Sequence, residues 1–141
     1  MKKALLPLLA LFFTTAVFAQ DSTSITKSDD YELTKLLNEL VVLENYKTDD
    51  LSIRIFKVGN ASGSAGFASG EISHLLYITT SEFDEAPEQH LFTVGPFLNP
   101  EIDTISETNS GVQLKVFSGK YDERFIKTYM VSLRNIEEQK P

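Results

Sequence analysis

Between Leu33 and Val41 the apolar residues fall at positions 33, 36, 37, 40 and 41, the spacing of one stripe on an amphipathic helix. The pattern predicts a helix from about Asp30 to Tyr46, with Asp29 as N-cap, Glu32 at capping-box spacing, and Asn45 to Asp50 as the stop. After Leu51 the period shortens to two. Leu51, Ile53 and Ile55 alternate with Ser52 and Arg54. Ile72 to Phe83 is rich in Ile, Leu, Tyr and Thr, and Leu91 to Leu98 is an apolar run closed by Asn99 and Pro100. Ile102 to Ser106 reads as a short edge strand. Val112, Leu114 and Val116 alternate with Gln113 and Lys115, and Phe125, Tyr129, Val131 and Leu133 share one face of the strand that follows. Ser118 to Glu123 between them is turn-like, which predicts a hairpin. No stretch alternates strand with helix, which argues against a parallel sheet. The expected fold class is α+β: one N-terminal amphipathic helix packed on an antiparallel sheet of five or six strands. The alternative is a mainly-β sandwich with a peripheral helix.

The ends of the chain read differently. Met1-Lys2-Lys3, the apolar run from Ala4 to Phe18, and Val17 and Ala19 at −3 and −1 of a cut before Gln20 make residues 1–19 a secretory signal peptide of bacterial style. That run of about 15 residues is short of the ~20 that span a bilayer, and no later stretch approaches that length. Residues 20–28 are small and polar and are expected to form a flexible tether. Residues 29–136 make a single globular domain, and 137–141 a frayed polar tail.

Charge and cysteine content narrow the chemistry. Of 13 basic and 20 acidic residues, only Lys2 and Lys3 lie in the leader, so the remainder carries 11 bases against 20 acids, a net −9. Its Lys and Arg are scattered singly among acids, which excludes nucleic acid as a partner. With no Cys there is no disulfide framework, no thiol nucleophile, no Cys-based zinc site and no acylated anchor. Release into the periplasm or the medium is expected.

Three segments carry candidate chemistry. Gly59 to Gly70 is a loop of mostly Gly, Ala and Ser, but it lacks the Lys-Ser/Thr pair and following helix of a phosphate cradle. Its one aromatic residue, Phe67, is a candidate partner contact. Glu82 to His90 is the densest polar segment. Asp84, Glu85, Glu88 and His90 are candidate ligands for calcium or zinc, although EF-hand spacing is absent. His74 falls with Ile72, Leu76 and Ile78 on one face of a strand and reads as a half-buried structural histidine. Ser73 beside it points to the opposite face, and no Gly-x-Ser-x-Gly elbow occurs. No resident cofactor is implied. The expected function is that of an exported, soluble, non-catalytic binding domain for an unknown protein or small ligand. The alternative is a small secreted hydrolase using the Glu/Asp and His of segment 82–90.

Overall fold

The computed structural model describes residues 25–60 and 72–140. The signal peptide, most of the tether, Phe67 and the centre of the glycine-rich loop lie outside the described residues.

The chain is mostly β. Helix α1 (Tyr31–Glu39) precedes eight strands: β1 (Val41–Lys47), β2 (Ser52–Gly59), β3 (Ser73–Ser81), β4 (Gln89–Leu98), β5 (Glu101–Thr108), β6 (Gly111–Lys120), β7 (Glu123–Val131) and β8 (Ile136–Gln139). They form two antiparallel four-stranded sheets in plain sequence order, β1-β2-β3-β4 and β5-β6-β7-β8. The alternation read from the sequence sets the inward faces. Ile53, Ile55, Leu76 and Ile78 of the first sheet meet Val112, Leu114, Val116 and Val131 of the second in one core. Phe97 and Tyr129 cross it edge to face, with ring centroids 6.4 Å apart.

The expected helix-on-sheet arrangement is overturned. A sheet with one apolar face must cover it, and here each sheet covers the other, leaving no core surface for the helix. None of the residues of α1 is buried; Leu33 and Leu37 are 48% and 61% exposed. The helix approaches only β2 among the strands with appreciable contact. It is also shorter than its period suggested, because the β-branched run Val41-Val42 leaves the helix and pairs with Lys57 and Phe56 of β2. From there Leu43 and Tyr46 pack against the core. The N-cap is Asp30, whose carboxylate accepts the Leu33 N–H at 2.9 Å, and not Asp29. At the other end Ile136 and the polar residues 137–139, the latter part of the tail expected to fray, pair with Thr128 to Val131 as edge strand β8.

Two features fix the path between and within the sheets. The connection is the pair Asn99 and Pro100, with Asn99 in the left-handed region (φ 45°) and Pro100 fully buried. At the β6–β7 hairpin, Gly119 has φ 128°, and a Cβ there would collide with the Glu123 carbonyl oxygen. The turn itself is only Tyr121 and Asp122, tighter than the six-residue segment expected.

Candidate functional site

Paired residues of an antiparallel sheet lie on the same face, so strand register places side chains without further assumption. Lys47 of β1, Ser52 of β2, Ser81 of β3 and Gln89 of β4 are successive partners and form one rung across the first sheet. Their neighbours Ile53 and Thr80 are buried in the core, so this rung faces outward. The next outward rung is Asn45, Arg54, Thr79 and Leu91, and the third is Val42, Phe56, Tyr77 and Thr93. Strands lie about 4.8 Å apart and successive outward rungs about 6.8 Å apart, so the three rungs tile a continuous platform.

A depression of about 500 Å³ lies over this platform. Phe56, Leu91 and Phe83 supply its apolar lining, Phe83 reaching in from the β3–β4 loop. Ser52, Thr79 and Ser81 supply hydroxyls, and Lys47 and Arg54 supply two cations. Lys47 Nζ stands 5.8 Å from the centre of the Phe83 ring, a cation–π distance. Among the described residues neither Lys47 nor Arg54 pairs with a carboxylate. Glu82 is the carboxylate at the rim, and its Oε2 accepts the backbone N–H of Glu88 at 3.4 Å.

The acidic segment is organised by a cation of the chain itself. Arg134, in the β7–β8 connection, donates to both carboxylate oxygens of Glu88 at 2.7 and 2.6 Å, and His90 Nε2 lies 2.7 Å from Glu88 Oε1. Hydrogen bonds from Arg134 and then from His90 hold the Glu88 carboxyl down at about 2. Next to this pair, the fully buried Thr80 hydroxyl donates to the Leu133 carbonyl oxygen at 2.5 Å. The two links join the β3–β4 side of the first sheet to the β7–β8 turn of the second.

Of the four candidate metal ligands, the structure brings Glu88 and His90 together, with Arg134 as the positive charge between the sheets. Asp84 and Glu85 stand exposed on the loop, where Asp84 Oδ1 accepts the Glu85 N–H at 2.6 Å. Among the described residues no group of three or more His, Asp or Glu is placed to hold a metal ion. His74 is half-buried opposite Gly59 and Phe97. Burial and then the charge of Lys57 push its imidazole below the usual histidine range, and its Nδ1 is buried without a hydrogen-bond partner among the described residues.

Sequence reasoning pointed to segment 82–90, whose Glu82, Phe83, Gln89 and His90 line the depression, but missed the strand residues that make the platform. Its signal was present in the positions between the apolar ones: Ser52, Arg54 and Phe56 on one strand, Tyr77, Thr79 and Ser81 on another. Only the register shows that these positions meet. No helix among the described residues is long and apolar enough to cross a membrane. No protein-family model, curated protein or solved structure matches the chain.

Proposed function

We propose that this is an exported, non-catalytic binding domain that takes an anionic ligand on the outward platform of the first sheet. The observation that carries the reading is the pair of cations, Lys47 and Arg54, beside a row of hydroxyls and without carboxylate partners among the described residues. In a chain with 20 acidic residues against 13 basic ones, two cations that share one open depression, neither in an ion pair among the described residues, make a place where an anion gains. The platform is also rigid, since its strands are locked in register from behind by the core, so little ordering entropy is lost on binding. Glu88 does not suit the general-acid role that hydrolysis by segment 82–90 would ask of it. A general acid at neutral pH needs a raised carboxyl pKa, whereas Glu88 is held at about 2 with both oxygens engaged. Export rests on the leader, and the intact mass of secreted protein, cut between Ala19 and Gln20, tests it.

The site is tested by amide chemical-shift mapping with phosphate, citrate and glucuronate as probes. Shifts clustered on Lys47, Ser52, Arg54, Thr79 and Ser81 are expected. Shifts confined to other surfaces, or none with any anion, would refute the placement.

A further inference from the structure

Resting on that reading, we propose that the ligand is an acidic oligosaccharide, a chain of sugar rings bearing carboxylates. Four observations on the platform point to this class.

The platform is broad and open. A rung across four strands spans about 14 Å, so successive units of an extended ligand can lie on it side by side. A single small anion would use one corner. Its polar groups are of both kinds. The Ser52 and Thr79 hydroxyls and the Gln89 amide donate and accept, as recognition of sugar hydroxyls requires, and the Ser81 hydroxyl, which donates to the Glu82 carbonyl oxygen at 2.9 Å, still accepts. An inorganic anion, which only accepts, would leave half of that capacity unused.

Apolar side chains lie among these groups. Phe83 is 52% exposed and lines the depression with Phe56. The negative face of an aromatic ring attracts the weakly positive C–H groups that a sugar ring presents. Finally, the cations sit at different places. Lys47 and Arg54 occupy adjacent strands on successive rungs, diagonal neighbours about 7–8 Å apart. Arg54 presents a planar fork suited to a carboxylate and Lys47 a point charge, so two carboxylates along one chain can be held at once. A neutral sugar would leave both cations without partners, and a nucleic acid would meet the chain's overall negative charge with only two bases to bind it. Glu82 at the rim is drawn towards the Glu88 backbone, which keeps that carboxylate on the loop side.

The test is calorimetric titration of the full mature chain, at about 0.15 M salt, with short oligogalacturonates. Neutral cello-oligosaccharides, inorganic phosphate and a poly-glutamate peptide serve as comparisons. Oligogalacturonate is expected to bind at least tenfold more tightly than each of the three. Arg54→Gln should weaken it at least tenfold and Phe83→Ala several-fold, with melting temperatures near the parent's because both side chains are on the surface. Neutral sugar binding equally well, or poly-glutamate binding equally well, would overturn the assignment. So would an unchanged affinity in Arg54→Gln. Phosphate shifts on the platform without tighter oligogalacturonate binding would overturn the ligand class and leave the site standing. Absence of platform shifts with every anion would remove the site itself.

Discussion

Arg124 is expected to hold the two sheets in their relative position, and its removal should be among the costlier changes at a residue that is not apolar. Its Nη2 donates to the Asn99 carbonyl oxygen at 2.7 Å and more loosely to that of Phe117 at 3.4 Å. Its Nη1 reaches Glu101 Oε1 at 3.2 Å, and the guanidinium lies 3.9 Å from the centre of the Phe117 ring. Asn99 is where the chain leaves the first sheet, so these contacts pin the crossing to the β6–β7 hairpin. The side chain is only 17% exposed, whereas Glu101 is 65% exposed. A hydrogen bond from a charged donor contributes about 1.5–3 kcal/mol, and the ring contact about 1 kcal/mol. The Glu101 pair, wet on one side, adds less than about 1 kcal/mol. Arg124 Nε is buried without an acceptor, which offsets part of this. The net loss in Arg124→Ala is therefore about 2–3 kcal/mol, or a fall in melting temperature of about 8–12 °C for a domain of this size. Urea unfolding followed by circular dichroism should show an earlier midpoint with an unchanged slope. Arg124→Lys should recover only part of the loss, because an ammonium cannot fork. Glu101→Gln should cost less than about 1 kcal/mol. A melting point for Arg124→Ala within about 2 °C of the parent would refute the reasoning, as would a Glu101→Gln loss equal to that of Arg124→Ala.

Other outcomes follow from burial, backbone geometry and ionisation. Leu114→Ala, at a fully buried core position, should cost about 2–5 kcal/mol by chemical denaturation, while Leu37→Asp on the exposed helix should stay within about 1 kcal/mol of the parent. Gly119→Ala should cost about 1–3 kcal/mol, because the residue must hold φ 128° against the Glu123 carbonyl; an unchanged melt would sink that account. The Glu88 carboxyl is held at about 2 against an ordinary 4.5, so its contribution is present above about pH 4.5 and is lost as pH falls towards 2. Arg134→Gln should flatten that acid limb in a pH series of melts. Burial, and then Glu138, raise the Tyr129 phenol from 10 to about 12, so its contribution is present below pH 10 and is lost as pH rises towards 12. Tyr129→Phe should remove this alkaline dependence, checked by phenolate absorbance and melting together.

The period-two positions were the legible part of the fold. Ile53, Ile55, Val112, Leu114 and Val116 are fully or almost fully buried, as their alternation requires. What the sequence concealed was the partner of each face. The leucine stripe is a local pattern equally compatible with a buried helix and an exposed one, and only the mutual coverage of the two sheets decides between them. Val41 and Val42 show the same limit, since they extend the helical period but pair with Lys57 and Phe56 of β2, just before the register shift between Val42 and Glu44. Ile136 to Gln139, one apolar residue followed by three polar ones, carry no apolar alternation, yet β7 offers them an unpaired edge. The site was hidden for a related reason. Clustered carboxylates mark segment 82–90, which forms one side of the depression, whereas the floor joins residues from Lys47 to Leu91 through register.

The strict sequence order of both sheets bears on how the chain acquires its structure. Every strand pairs only with its immediate neighbours in sequence, so, apart from the thirteen residues between β2 and β3, each hairpin closes a loop of seven residues or fewer and neither sheet waits for a distant segment to complete its ladder. Burial is a different matter, because the apolar face of the first sheet is covered wholly by strands that come later. Its hydrogen bonds can be complete at Leu98 while Ile53, Ile55, Leu76 and Ile78 still lack their cover. Residues 101–139 supply that cover, so a first sheet that forms ahead of them lacks it until they fold. For that interval a finished sheet presents a bare apolar face to its surroundings, and self-association is most favoured in that window.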